Sequence, residues 1–187
     1  MTNTGALLFD GASRKRALIW LSQTYPGHSA YPLLYNTPYE AIGDVGPVVL
    51  NADEGSALHT DWLRGTPDLQ HAVWLKTQIS HNDLYACLRR RLRVLSPSGS
   101  EFWLRLADGR PMLRAWQAQI RWPDGFWYGV SEVWLHDGDE PFSAWKNETA
   151  EYDCTRATQD IQAQIVFDWS LLAALAKQDT ARQGARL

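Results

Sequence analysis

Asp108 and Arg110 stand two residues apart in the run Ala107-Asp108-Gly109-Arg110-Pro111, where an alternating pattern gives way to a helical one. A carboxylate and a guanidinium at such a corner have two uses. Asp108 caps the helix that Pro111 opens, while Arg110 or Arg105 pairs with a carboxylate such as Asp10. Alternatively, the pair lines a ligand site. The other chemistry-bearing residues are thinly spread. His28, His59, His71, His81 and His136 show no His-x-x-x-His spacing, and the chain has no Cys-x-x-Cys pair, so no metal is expected. A solvated helix face explains His59 and Asp61. Ser98 sits in a Ser-Gly turn, outside any Gly-x-Ser-x-Gly elbow, and reads as a turn residue. Asp10-Gly11-Ala12-Ser13-Arg14-Lys15 lacks the second glycine and the spacing of a phosphate loop. Asp83 and Glu101 have no spacing that suggests acid–base work. The expectation is a chain with no catalytic residue, no cofactor and no metal, hence not an enzyme.

Arg89, Arg90, Arg91 and Arg93 form one basic cluster. The formal net charge is -3, which argues against nucleic acid as the main partner. These arginines read as a solvated or salt-bridged helix face, or as a surface that meets an acidic partner.

The elements that must position these groups follow from periodicity. Leu7-Leu8-Phe9 before Asp10-Gly11 reads as a buried first strand, and Ser13 as the cap of a helix carrying Ala17, Leu18, Trp20 and Leu21. Tyr31 to Tyr35, Val48-Val49-Leu50 and Ala72 to Leu75 read as strands, the second of the kind covered on both faces. Thr37-Pro38-Tyr39-Glu40 opens a short helix, and Ala57 to Leu63 forms another. Ser80 or Asn82 caps a helix with Leu84, Leu88 and Leu92 on one side. Pro97-Ser98-Gly99 marks a hairpin, and Phe102, Leu104 and Leu106 mark the apolar face of its second strand. Met112, Leu113, Trp116 and Ile120 follow Pro111 in a helix. An amphipathic helix is expected over 158–177, striped by Ile161, Ile165, Trp169, Leu172 and Ala176. The fold class is α/β, with mixed α+β as its variant: a central mixed sheet with flanking helices. Residues 1–122 read as one domain and 123–187 as a smaller aromatic and helical lobe.

The chain has 187 residues, 45% hydrophobic and 21% charged, enough for a core of one domain or a domain with an appendage. Two cysteines make no disulfide framework and fit a reducing compartment. No basic-then-apolar leader and no membrane-length apolar run is seen, so a cytoplasmic protein without membrane contact is expected. Ten tryptophans exceed the needs of such a core. Trp is enriched where proteins meet partners. Trp127, Trp134, Phe142, Trp145 and Trp169 are the candidates for that contact.

Several motifs occur in an order that resembles a known family. They are Leu7-Leu8-Phe9-Asp10-Gly11-Ala12, Tyr31-Pro32-Leu33-Leu34-Tyr35-Asn36-Thr37-Pro38-Tyr39-Glu40 and Val45-Gly46-Pro47-Val48-Val49-Leu50. After these come Leu88-Arg89-Arg90 with Val94, Pro97, Gly99 and Arg105, then Ala107-Asp108-Gly109-Arg110 and Tyr128-Gly129-Val130. Over roughly residues 6–130 the chain resembles the effector-chaperone (adaptor) family of bacterial type VI secretion, domain of unknown function 4123. It departs in Ala107 for Tyr, Gly109 for Pro, Asn36 for Gly and Val130 for Pro, while keeping Asp108 and Arg110. The resemblance makes Asp10, Gly46, Pro47, Arg105, Asp108 and Arg110 structural motif residues. It implies a cytoplasmic carrier that binds a cognate secreted effector, keeps it soluble and helps load it onto the valine-glycine repeat spike protein. An immunity protein that neutralises a toxin is the competing reading, and a small enzyme with a site near Asp108 and Arg110 is the third.

Overall fold

The computed structural model describes residues 5–157 and 161–176. Six strands form one sheet in the order β2-β3-β1-β4-β7-β8: β1 Gly5–Asp10, β2 Ala30–Pro32, β3 Pro47–Asn51, β4 Val73–Thr77, β7 Val130–His136 and β8 Pro141–Lys146. β5 Arg93–Leu95 and β6 Glu101–Trp103 form a separate hairpin around the Pro97-Ser98-Gly99 turn. The helices are α1 Ala17–Thr24, α2 Ala57–Leu63, α3 His81–Arg89, α4 Gly109–Gln117 and α5 Trp169–Ala176. The α/β class holds in its α+β form. All pairings of the central sheet are antiparallel, where a mixed sheet was expected.

Period-two alternation explains why the central strands are apolar throughout. In β1, Leu7 and Phe9 enter one core with Ala17 and Leu21 of α1 and Leu58 and Trp62 of α2. Ala6 and Leu8 point the other way, to Leu84 and Leu88 of α3 and Met112 and Ala115 of α4. Trp74 of β4 joins the first core, and Val73 and Leu75 join the second. A strand covered on both faces has no polar face to show.

The boundary expected at residue 122 is not a boundary in the packing. β7 pairs with β4 inside the sheet, from Trp74↔Trp134 to Thr77↔Val130. Phe126, Trp127, Ile161, Ile165, Phe167 and Leu171 share the core of α3 and α4. Residues after 122 therefore complete the sheet and one of its two cores.

The expected helix over 158–177 is also corrected. Residues 158–160 and 177 lie outside the described residues; of the rest, only Trp169–Ala176 is helical. Ile161 to Phe167 runs extended beside the hairpin: Leu95 N–H donates to Ile165 O at 2.8 Å and Phe167 N–H to Leu95 O at 2.8 Å. Ile165 and Phe167 are buried while Gln164 and Val166 are not, a strand alternation with β-branched residues. Asp168 then starts α5, its Oδ1 accepting Leu171 N–H at 2.7 Å.

Two further local expectations change. Ser13 does not cap α1; its hydroxyl donates to Asp10 O within a 3-10 turn over Gly11–Ser13. Phe102 and Trp103 are both exposed, so β6 has no buried apolar face; Leu104 and Leu106, beyond the strand, are the buried pair. Ser80 caps α3 and Asp108 caps α4.

Candidate functional site

The six motif residues converge at one corner, where β1 ends, β3 begins and α4 starts. Asp10 pairs with Pro47 in the β1–β3 ladder. Gly11 N–H donates to Gly46 O at 3.0 Å. A side-chain carbon on Gly11 would meet Gly46 O at 2.6 Å and Asp44 O at 2.7 Å, so this approach requires glycine. Asp10 uses both carboxylate oxygens: Oδ1 accepts Ala12 N–H at 3.0 Å, and Oδ2 accepts Arg105 Nη2 at 2.8 Å. The same Arg105 nitrogen lies 3.1 Å from Asp108 Oδ2 and bridges the two carboxylates.

Asp108 is 2% exposed. Its Oδ1 accepts Arg110 N–H at 3.1 Å and Arg110 Nε at 2.9 Å, and its Oδ2 accepts Arg110 Nη2 at 3.0 Å. Burial pushes this carboxyl up, but the side-chain and backbone hydrogen bonds from Arg110 and the charge of Arg105 outweigh it and hold it below the usual range. Both oxygens are occupied by donors, which favours a fixed anion over a proton carrier. Between the alternatives read from sequence, the geometry is that of a structural ion network. Gly109 fits this corner through its backbone, since its N–H donates to His71 O at 2.7 Å. Proline, which the resembled family carries there, has no N–H to give.

The five aromatic candidates separate. Trp127 is 6% exposed and packs among Trp122 and Phe126, with ring centroids 5.2 and 5.0 Å away. It is a core residue, which corrects its assignment as a contact residue. The turn at Gly125, with φ +75°, directs the following pair inward. Trp134 is half-buried against Trp74, with its indole N–H on Glu132 Oε2 at 3.0 Å. Phe142 is half-buried against Trp116 at 4.5 Å, and Trp145 against Trp122 at 5.6 Å. Trp169 is 57% exposed at the start of α5. Sequence reasoning missed Phe102, Trp103 and Trp116, which are 42%, 49% and 40% exposed. Nothing in their local pattern separates them from core aromatics.

The arginine cluster is engaged within the chain. Arg91 is fully buried, donating to Phe126 O, to Cys87 O at 3.0 Å, to Gly125 O at 2.9 Å and to Asp153 Oδ1 at 2.8 Å. Arg90 Nη2 reaches Asp153 Oδ2 at 2.8 Å. Arg89 bonds the carbonyls of Tyr35 and Asn36, and Arg93 pairs with Glu101. Thr155 N–H and hydroxyl add to Asp153, 2.9 and 2.7 Å from Oδ1. Burial pushes the Asp153 carboxyl up, but its bonds from Thr155 and Arg91 bring it down to about 2. A sequence signal for Arg91 existed: it lies seven residues after Leu84, just past the end of α3, where continued helical spacing would put it on the apolar side.

Among the described residues, no group of three or more His, Cys, Asp or Glu is placed to hold a metal ion. No helix among them is long and apolar enough to cross a membrane. No curated protein and no solved structure matches the chain. A family model described as "Domain of unknown function (DUF4123)" matches residues 7–121, from β1 through α4 and the whole Asp10–Arg105–Asp108–Arg110 corner. Since that match covers more than half of its length, the chain belongs to this domain family.

Proposed function

We propose that the protein is a cytoplasmic chaperone or adaptor that binds a cognate type VI secretion effector, keeps it soluble and helps load it onto the spike. The observation that carries this reading is aromatic exposure. Phe102, Trp103, Trp116 and Trp169 stay 40–57% exposed, outside both buried cores. Trp116 and Trp169 lie on α4 and α5, which pack together: Arg114 Nε donates to Ala174 O at 3.3 Å. Large aromatics on a surface support recognition of another protein and need no catalytic group. The resemblance of the motif order to the effector-chaperone family supplies the class of partner.

Alanine at Trp103 or Trp169 is expected to weaken capture of the effector at least tenfold in a pull-down, with an unchanged thermal midpoint. A loss of folding with no separate loss of capture would make these residues structural instead. The reading as a small enzyme centres on the corner. Asp108→Ala chains that remain folded and fully support effector export would remove it.

A further inference from the structure

The strands that end a sheet are guarded unequally. β2 stops at Pro32, whose carbonyl accepts Tyr85 OH at 3.0 Å. β8 carries Pro141, Lys146 and a bulge at Ala144, since Val133 faces Trp145 while Trp134 faces Ser143. The outer edge of β5 is taken by the extended segment at 165–167 through two bonds with Leu95. β6, Glu101–Trp103, has no proline, no lysine and no bulge. Its one charged residue, Glu101, engages Arg93 through Oε2, and among the described residues Oε1 has no partner.

The register of the hairpin decides which main-chain groups of β6 are free. Ser96 N–H donates to Ser100 O at 2.8 Å, and Leu104 N–H to Leu92 O at 2.9 Å. Opposed residues of an antiparallel pair alternate between bonded and non-bonded. Val94 and Phe102 therefore exchange their bonds, while Arg93↔Trp103 and Leu95↔Glu101 do not. Leu95 accordingly turns its N–H to Ile165 and its C=O to Phe167. By the same alternation the N–H and C=O of Glu101 and of Trp103 point away from β5. Among the described residues these four groups meet no partner, and all three residues of β6 are exposed.

We propose that this edge takes up an extended segment of the partner protein as an added antiparallel strand. Donors and acceptors that alternate along an extended backbone are matched by another extended backbone, as 165–167 already matches the far edge of the hairpin. A second copy of this chain is the poorer occupant. Self-pairing of three residues covers far less than the roughly 1,200–2,000 Å² of a stable specific interface. A partner segment adds instead to contacts made elsewhere, as at Trp116 and Trp169. Glu101 and Trp103 each exchange two bonds with the added strand. The side chains set its composition: a basic residue opposite Glu101 and its free Oε1, an apolar one opposite Phe102, a β-branched one opposite Trp103. The assignment rests on the reading of the chain as a carrier and names where it grips.

The test uses the full chain, ¹⁵N-labelled, titrated with acetyl-Thr-Val-Phe-Lys-Thr-amide, whose valine, phenylalanine and lysine face Trp103, Phe102 and Glu101. The expected result is saturable shifts of the Glu101 and Trp103 amide signals. Methylating the valine and lysine nitrogens of the peptide, which face β6, should weaken binding about tenfold, while methylating the phenylalanine nitrogen, which faces away, leaves it unchanged. No saturable shift at these amides, or equal weakening by either methylation, overturns the proposal. Pull-down of the effector separates the two claims. Glu101→Pro removes one outward N–H at the first residue of a strand, where proline is tolerated, and Glu101→Ala removes the charge alone. Capture about tenfold weaker with Glu101→Pro than with Glu101→Ala, at equal thermal midpoints, is expected. Equal capture by both overturns the docking site and leaves the carrier reading standing. If Glu101→Pro does not fold, the peptide titration of the wild type decides. Failure of the wild type to capture any effector overturns the carrier reading and the docking site with it. Dimerisation of the wild type that Glu101→Pro abolishes would give the edge to a second copy and overturn the proposal as well.

Discussion

Arg91 is fully buried and Asp153 supplies its counter-charge. A fully buried guanidinium is tolerable only because three carbonyls and one carboxylate surround it. Asp153→Ala leaves that cation without its counter-charge, and a loss of about 3 kcal/mol in urea unfolding is expected. A midpoint unchanged within error would contradict the assignment. The pH dependence follows from the lowered carboxyl, about 2 when folded against an ordinary 3.8. Its stabilisation is complete above about pH 4 and fades as the pH falls towards 2. Stability of wild type should therefore drop more steeply than that of Asp153→Ala across this window. Cys87 offers a second check: burial pushes its thiol up to about 11. It should resist alkylation at pH 8 until the chain unfolds. At this scale the sequence disclosed the charges but not all of their partners. Asp108 as a cap was legible because cap chemistry is local, whereas Asp10 lies 95 residues from Arg105 and only the fold selects Arg105 over Arg110 as its partner. Asp153 lies 62 residues from Arg91, and nothing local links them.

Elements were most legible where several short-range signals agreed. α2 and α3 have their serine caps, and the Pro97-Ser98-Gly99 hairpin has its turn. Helical spacing misled in 161–168, because Ile161, Ile165 and Trp169 also fit a chain that runs extended and then turns. The contact with Leu95 decides between them, and that contact is tertiary. The same limit explains the expected lobe boundary, since strand order is not written in any one strand. β7 is an interior strand, so residues 1–122 alone would expose the edge of β4 and lose nine of the 26 buried residues of one core. A 1–122 fragment is expected to lack dispersed amide signals in ¹H–¹⁵N spectra. A well-dispersed spectrum would show that the first part folds alone. Gly11→Ala tests the corner at this scale: its close contacts are to backbone oxygens that cannot swing aside, so a loss of about 1–3 kcal/mol is expected.

The whole molecule is a two-faced antiparallel sheet whose family match ends near residue 121, while its packing continues to α5. The segment past the match adds an interior strand, an edge strand and a helix that starts with an exposed tryptophan. On the proposed carrier reading, partner contact is expected on this added surface, where Trp169 lies. The most direct test of the carrier reading is co-expression of the chain with the products of its neighbouring genes, to find one that behaves as an effector. Effector in the soluble fraction is measured with and without the chain, and size-exclusion chromatography follows. The account predicts an effector that is insoluble alone and elutes with this chain as one stable complex. An effector equally soluble without the chain, or a complex that forms only to extinguish a toxin's activity, would contradict it.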